Sequence, residues 1–178
     1  WNHILLSRVS GTAKWFINGI EDTSWSDSEN MTSTATLYIG DTGADETSNS
    51  SYPFVGYMSD IAIRMGGSGY RTSSFTSPTA PLSSSGTSLH IKGTDASIID
   101  KSQNGNLELN GNVTGSTTQV KFANTKSTYF PGSLGDQIIA TSGENVDLSS
   151  ADPFTWEAWC YFNSVSDVIH LMASEDAG

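Results

Sequence analysis

Glu157 invites a chemical reading first, because it stands among aromatics in the run Phe154-Thr155-Trp156-Glu157-Ala158-Trp159. A carboxylic acid beside flat aromatic faces is what a glycosidase uses to protonate a leaving oxygen. That chemistry needs a second carboxylate about 5–10 Å away across a cleft. Residues two apart share one face of a strand, so a Glu-x-Asp-x-Glu spacing would supply the pair. Here the same-face neighbours of Glu157 are Thr155 and Trp159. With one carboxylate on that face, we expect no polysaccharide hydrolysis and no enzyme. His3 and His90 lie in strand-like runs and His170 in an apolar one, and none adjoins a G-x-S-x-G elbow. No catalytic triad is expected. The single Cys160 excludes an internal disulfide and a cysteine-based metal cage. Its apolar surroundings predict a buried, inert thiol.

Two binding chemistries remain to be weighed. The polar stretch Asp41 to Tyr52 carries Asp41, Asp45 and Glu46, and oxygen-rich loops suit Ca2+. No Asp-x-Asp-x-Asp spacing is present, so a solvated loop is the favoured reading and no cofactor is expected beyond that weak Ca2+ candidate. Trp25 and Tyr52 sit in polar contexts, where an aromatic face can stack on a sugar ring. The alternative is that both cap the ends of the fold. Trp1, Trp15, Trp156 and Trp159 belong to strand-like runs and read as core or sheet-face residues. Three sequons, at Asn30, Asn49 and Asn112, are what chance produces at this Asn, Ser and Thr content.

Composition narrows the partners. The 178 residues carry 8 Lys plus Arg against 19 Asp plus Glu, a net charge of −11. Duplex nucleic acid and anionic membrane surfaces both need basic patches, so neither is an expected partner. No apolar run approaches the length of a membrane-spanning helix. The hydrophobic share of 36%, with 17 glycines, suffices for a core in a single domain. Ser and Thr make up about a quarter of the chain and favour turns, strands and caps over helix interiors. The chain opens on Trp1-Asn2-His3-Ile4, which reads as mid-strand, and we expect a fragment of something longer.

The elements that must position these residues read as strands almost throughout. Trp1 to Val9 is followed by Lys14 to Ile17, the turn Asn18-Gly19, and a return strand Ile20 to Thr23. Asn-Gly between apolar runs is a strong hairpin signal, because both residues tolerate positive φ. Thr36 to Gly40 follows. Phe54 to Met65 alternates, with Val55, Tyr57, Ile61 and Ile63 expected on one face. Ser68 to Ser88, rich in Ser, Thr, Pro and Gly, reads as a linker or long crossover. Further strands are expected at Leu89–Ile91, Ser97–Ile99, Val120–Phe122, Ser127–Phe130 and Gln137–Ala140, with Val146–Leu148 beside the last. Turns are expected at Asn104-Gly105 and Asn110-Gly111. The longest strand, Phe154 to Phe162, places Phe154, Trp156, Ala158 and Cys160 on one face, and another strand begins over Val168–Met172. No segment sustains a 3.6-residue period, so the expected class is all-β, a two-sheet sandwich or barrel.

These residues carry a resemblance. In the second half, Leu89-His90-Ile91-Lys92-Gly93, Ile99-Asp100-Lys101-Ser102-Gln103-Asn104-Gly105, Ser127-Thr128-Tyr129-Phe130-Pro131-Gly132-Ser133 and Phe154-Thr155-Trp156-Glu157-Ala158-Trp159 resemble the opening of a laminin-G-like, concanavalin A-like jelly-roll domain. In the first half, Trp1-Asn2-His3-Ile4, Trp15-Phe16-Ile17-Asn18-Gly19, Leu37-Tyr38-Ile39-Gly40 and Phe54-Val55-Gly56-Tyr57-Met58-Ser59-Asp60 resemble the end of one. The implied fold is an antiparallel two-sheet jelly-roll sandwich. The implied organisation is an end-half (1–67), a Ser/Thr/Pro linker (68–88) and a beginning-half (89–178). This is either a piece of a tandem array or a circularly permuted single sandwich. In the array reading, about 20–30 residues of the family's central hairpin region are absent.

Tyr70-Arg71-Thr72-Ser73-Ser74-Phe75-Thr76-Ser77-Pro78-Thr79-Ala80-Pro81-Leu82 resembles the tail of laminin-G-like repeats in bacteriophage tail and fibre proteins. That resemblance implies a non-enzymatic structural or recognition module at the virion surface. Its implied partners are other virion subunits in a homo-oligomer and host-surface glycans, met through Trp25 or Tyr52. Laminin-G-like domains also often hold one Ca2+ at the sandwich rim. The alternative is an extracellular bacterial adhesin or carbohydrate-binding repeat.

Overall fold

The computed structural model describes residues 1–28, 36–41, 52–66, 69–94, 98–102, 106–140, 153–165 and 169–175. The expected Asn104-Gly105 turn and the Val146–Leu148 segment lie outside them. All regular elements among the described residues are strands: β1 (Asn2–Val9), β2 (Thr12–Ile17), β3 (Ile20–Ser26), β4 (Thr36–Ile39), β5 (Gly56–Met65), β6 (Leu89–Gly93), β7 (Ile98–Asp100), β8 (Leu107–Asn110), β9 (Thr114–Ser116), β10 (Ser127–Phe130), β11 (Gln137–Ala140), β12 (Phe154–Phe162) and β13 (Met172–Glu175).

Turn chemistry sets up the first three strands. Ser10-Gly11 and Asn18-Gly19 all take positive φ (51° and 74°, 52° and 81°), giving two successive tight hairpins. The second is the expected Asn-Gly turn; Ser10-Gly11 is a further one. β12 then inserts between β1 and β5, and the large sheet runs β3-β2-β1-β12-β5-β10-β9. β6 and β7 extend it from the far half of β5, where Ile61, Ala62 and Ile63 pair with Ile91, His90 and Leu89. A smaller sheet runs β13-β4-β11-β8. Every pairing is antiparallel. Strands from the segments before and after residues 69–88 therefore alternate within both sheets.

The core lies between the sheets. Leu37, Ile39, Ile138 and Ala140 from the small sheet meet Met58, Ile61, Ile63, Trp156, Ala158 and Cys160 from the large one. Phe54 and Phe130 close one end, edge to face at 5.6 Å. The predicted alternation of β12 thus holds for Trp156, Ala158 and Cys160.

On β5 the expected common face for Tyr57, Ile61 and Ile63 is corrected. Glu157 pairs with Ala62 but Trp159 with Ser59, so Asp60 and Ile61 together oppose Ala158. This is a β-bulge, with Asp60 at φ 58°. The extra residue flips the alternation, so Tyr57 lies on the outer face beside Tyr129 and Tyr161 while Ile61 and Ile63 enter the core.

Two other expectations shift. Val120–Phe122 forms no strand: Thr125 Oγ1 donates to the Phe122 carbonyl at 2.7 Å in a turn, and Lys121 lies over the Trp159 ring at 3.7 Å. The last strand is Met172–Glu175 rather than Val168–Met172.

The outer face of the large sheet is also covered. Residues 69–88 cross it as a strap. The Tyr70 hydroxyl donates to the Pro153 carbonyl (3.0 Å), the Arg71 amide to Ser7 Oγ (3.1 Å) and the Phe75 amide to the Gly19 carbonyl (2.8 Å). The Phe75 ring packs against Phe16 and His3 at 5.5 and 5.9 Å. Gly19 allows this close approach, because a Cβ there would collide with the Phe75 carbonyl and its φ is positive. β12 is consequently buried on both faces from Phe154 to Cys160.

Candidate functional site

Under the strap, two clusters of ionisable side chains lie on the outer face. The first is built on Glu157. β1 pairs with β12, putting His3 opposite Trp159, and β5 supplies Arg64 opposite Thr155. Glu157 Oε2 accepts from His3 Nε2 at 3.2 Å, and Oε1 is ion-paired to Arg64 Nη1. The Glu157 side chain is only 9% exposed and that of His3 is fully buried. Burial alone would raise the Glu157 carboxyl. The His3 hydrogen bond and the Arg64 charge outweigh it, holding the carboxyl below its ordinary range. Trp159 flanks the pair, its ring 5.0 Å from that of His3, with Lys121 on the indole.

The second cluster is built on Asp60, which the bulge turns onto the outer face. Asp60 Oδ1 accepts from His90 Nε2 at 2.7 Å and lies 3.4 Å from Lys92 Nζ, while Oδ2 accepts from the Leu82 amide. On the far side of the imidazole, Ser84 Oγ lies 2.8 Å from His90 Nδ1. Burial would raise Asp60. The His90 bond, the Leu82 amide and the Lys92 charge together hold it below its ordinary range.

Sequence reasoning missed this Ser84–His90–Asp60 relay. No motif encodes it, since Asp60 reaches His90 only through the bulge and Ser84 comes from the strap. Its distances match a hydrolytic triad, but its surroundings do not supply the rest of one. The imidazole turns Nδ1 rather than Nε2 towards the serine, the reverse of the usual order. The Ser85 amide, which would be the natural oxyanion donor after a Ser84 nucleophile, already donates to Ser83 Oγ at 3.2 Å. The Ser84 carbonyl accepts from Thr87 Oγ1 at 2.7 Å. The arrangement fastens the strap to β5 and β6.

The residues singled out from the sequence fall in different places. Trp25 stands on the edge strand β3, opposite Ala13, and is 40% exposed. Tyr52 is 39% exposed, packs its ring edge-on to His170 at 5.4 Å, and accepts the His170 amide on its carbonyl at 2.9 Å. The structure does not bring the two aromatics into ring contact. Asp41 is buried, and its Oδ2 accepts the Gly135 amide at 3.0 Å. Asp45 and Glu46, and the sequons at Asn30 and Asn49, lie outside the described residues. Among the described residues no group of three or more His, Cys, Asp or Glu side chains could hold a metal ion.

Cys160 is fully buried, and desolvation pushes its thiol far above the usual range. A cavity of about 420 Å3 opens at the other side of the large sheet, lined by Ile4, Trp15 and Ile17 on one wall and Ile169 and Leu171 on the other. Comparison with protein-family models, with curated proteins and with solved structures yields no match.

Proposed function

We propose that this chain is a non-enzymatic structural and recognition module. The observation that carries this reading is the state of the buried acids. Glu157 and Asp60, the carboxylates best placed for acid–base work, are each engaged by a histidine and a cation beneath a packed strap. A general acid or base must reach its substrate's proton, and these carboxylates are turned into the fold instead.

The more specific reading is a laminin-G-like jelly-roll repeat of a phage tail fibre, appendage or decoration protein, joining the end of one repeat to the start of the next. Its support is the set of motif resemblances. The strap adds a physical account of one of them, since Tyr70, Phe75 and Leu82 are among its contact points. Host-surface glycans are the proposed external ligand, with Trp25 the more accessible stacking platform on an edge strand. A glycan array probed with this chain and with Trp25→Ala tests it. Binding of a defined glycan class that Trp25→Ala loses supports the reading. No glycan signal, or a signal indifferent to Trp25, removes the glycan part. Release of reducing ends from any arrayed polysaccharide overturns the non-enzymatic part.

A further inference from the structure

The large sheet extends beyond the small one. The register places Ile4 opposite Ile17, Leu6 opposite Trp15, and Trp15 opposite Thr23, so these side chains share the inner face of β1–β3. The small sheet reaches this face only at its edge, where Leu171 and Met172 meet Leu6 and Trp15 around a second cavity of about 190 Å3. Beyond that edge lies the 420 Å3 groove, and Ile17 and Ile20 are 42% and 68% exposed. Among the described residues β13 pairs with β4 alone.

The groove therefore has an apolar floor, Trp15 and Ile17, and a side wall ending in the free edge of a strand. A sugar needs many hydrogen-bonding partners, and this lining offers the single carboxylate of Asp22. A free strand edge offers a row of backbone donors and acceptors instead. An added strand would continue the small sheet over β2 and β3, about 10 Å above the large sheet as stacked sheets require. With a net charge of −11 the chain repels its own copies, and Asp22 at the groove favours a cation.

We propose that this groove is a strand-docking site: it takes an extended segment of a partner polypeptide, apolar at alternate positions and basic at one end. The segment adds to the edge of β13 and buries its apolar side chains on Trp15 and Ile17. The site is separate from the glycan reading, and either can fail alone.

The probe is a synthetic peptide of alternating Val and Thr with a terminal Lys, together with a twin N-methylated at alternate amides and a twin ending in Glu. Tryptophan emission and amide hydrogen exchange over Met172–Glu175 report binding to the 178-residue chain. The expected result is a blue shift and slowed exchange with the parent peptide, both lost with the N-methylated twin. Ile17→Lys, at a half-exposed position, should weaken binding about tenfold or more while leaving the circular dichroism spectrum unchanged. Asp22→Lys should weaken the Lys-ended peptide and strengthen the Glu-ended one. Equal binding of the N-methylated twin would make the groove a plain apolar pocket and overturn the proposal. So would no binding, or protection of Met172–Glu175 that grows with protein concentration in the absence of peptide, which would make a second copy the occupant.

Discussion

Asp60 and His90 are joined at 2.7 Å although the β5–β6 ladder sets His90 opposite Ala62, two residues further on. The bulge makes the contact: its extra residue turns Asp60 onto the outer face beside Ala62 and leaves Ile61 for the core. One irregularity thus both repairs the apolar register of β5 and supplies the acceptor that holds Leu82 and Lys92. Removing that acceptor leaves His90 and Lys92 beside an empty position. Asp60→Ala should cost about 3–5 kcal/mol, the range for breaking one side of a buried pair, measured by urea unfolding. Asp60→Asn keeps an acceptor for the Leu82 amide and tolerates positive φ, so it should cost less. Equal losses for the two would place the effect in the backbone rather than in the network.

The same chemistry fixes a pH dependence. Asp60 and Glu157 both have carboxyls held below their ordinary range in the fold. In acid the unfolded chain therefore binds more protons than the native one, and stability rises with pH there. Their contribution is complete above the unfolded carboxylate range, about pH 5–6, and drains as pH falls through the folded values. Urea midpoints measured from pH 7 down to pH 3 should decline, and Glu157→Gln should show a shallower decline from a lower starting midpoint. A Glu157→Gln curve parallel to the wild type would mean that Glu157 does not titrate differently in the two states.

Phe75 fastens the middle of the strap, between Phe16 and His3 and beneath the Arg71 guanidinium at 5.0 Å. The ring is partly rather than fully buried, so Phe75→Ala should cost about 2 kcal/mol, below the range for a fully buried phenylalanine. The diagnostic readout is local. Limited proteolysis should cut within 69–88 in the variant under conditions that spare the wild type. A variant nicked first elsewhere would mean that Phe75 does not hold this segment.

Much of the scaffold is legible in the residues, and the reasons it is legible are local. Asn18-Gly19 codes its own turn, and Trp156, Ala158 and Cys160 code their face by alternation. The bulge is not legible, because an aspartate at positive φ leaves no periodic mark. Without it, a strict two-residue period puts Tyr57 with Ile61. Val120–Phe122 misleads for a different reason: Lys121 and Phe122 have strand-like composition, but both pack against the Trp159 ring. The strap is hidden because Ser, Thr and Pro look alike in a packed crossover and a solvated linker. The buried clusters follow from these same features, so Glu157 is visible in the sequence while its partners His3 and Arg64, far away along the chain, are not.

Ser84 provides the sharpest separation of geometry from reactivity. Its hydroxyl lies 2.8 Å from His90 Nδ1, and His90 Nε2 lies 2.7 Å from Asp60, so a nucleophile-activating relay is present in outline. Acyl transfer also needs donors aimed at the developing oxyanion, and losing even one costs about 100–1,000-fold in rate. Here the Ser85 amide is taken by Ser83 Oγ, and the negative charge of Asp60 is shared with Lys92 and the Leu82 amide. The folded chain should therefore resist labelling by a fluorophosphonate and turn over no p-nitrophenyl acetate above the rate of a Ser84→Ala variant. Ser84→Ala should instead lower the urea midpoint modestly, by about 1 kcal/mol, as a lost hydrogen bond does. Labelling at Ser84, identified by peptide mass spectrometry and abolished in His90→Gln, would show that the relay fires and would return the chain to the enzymes.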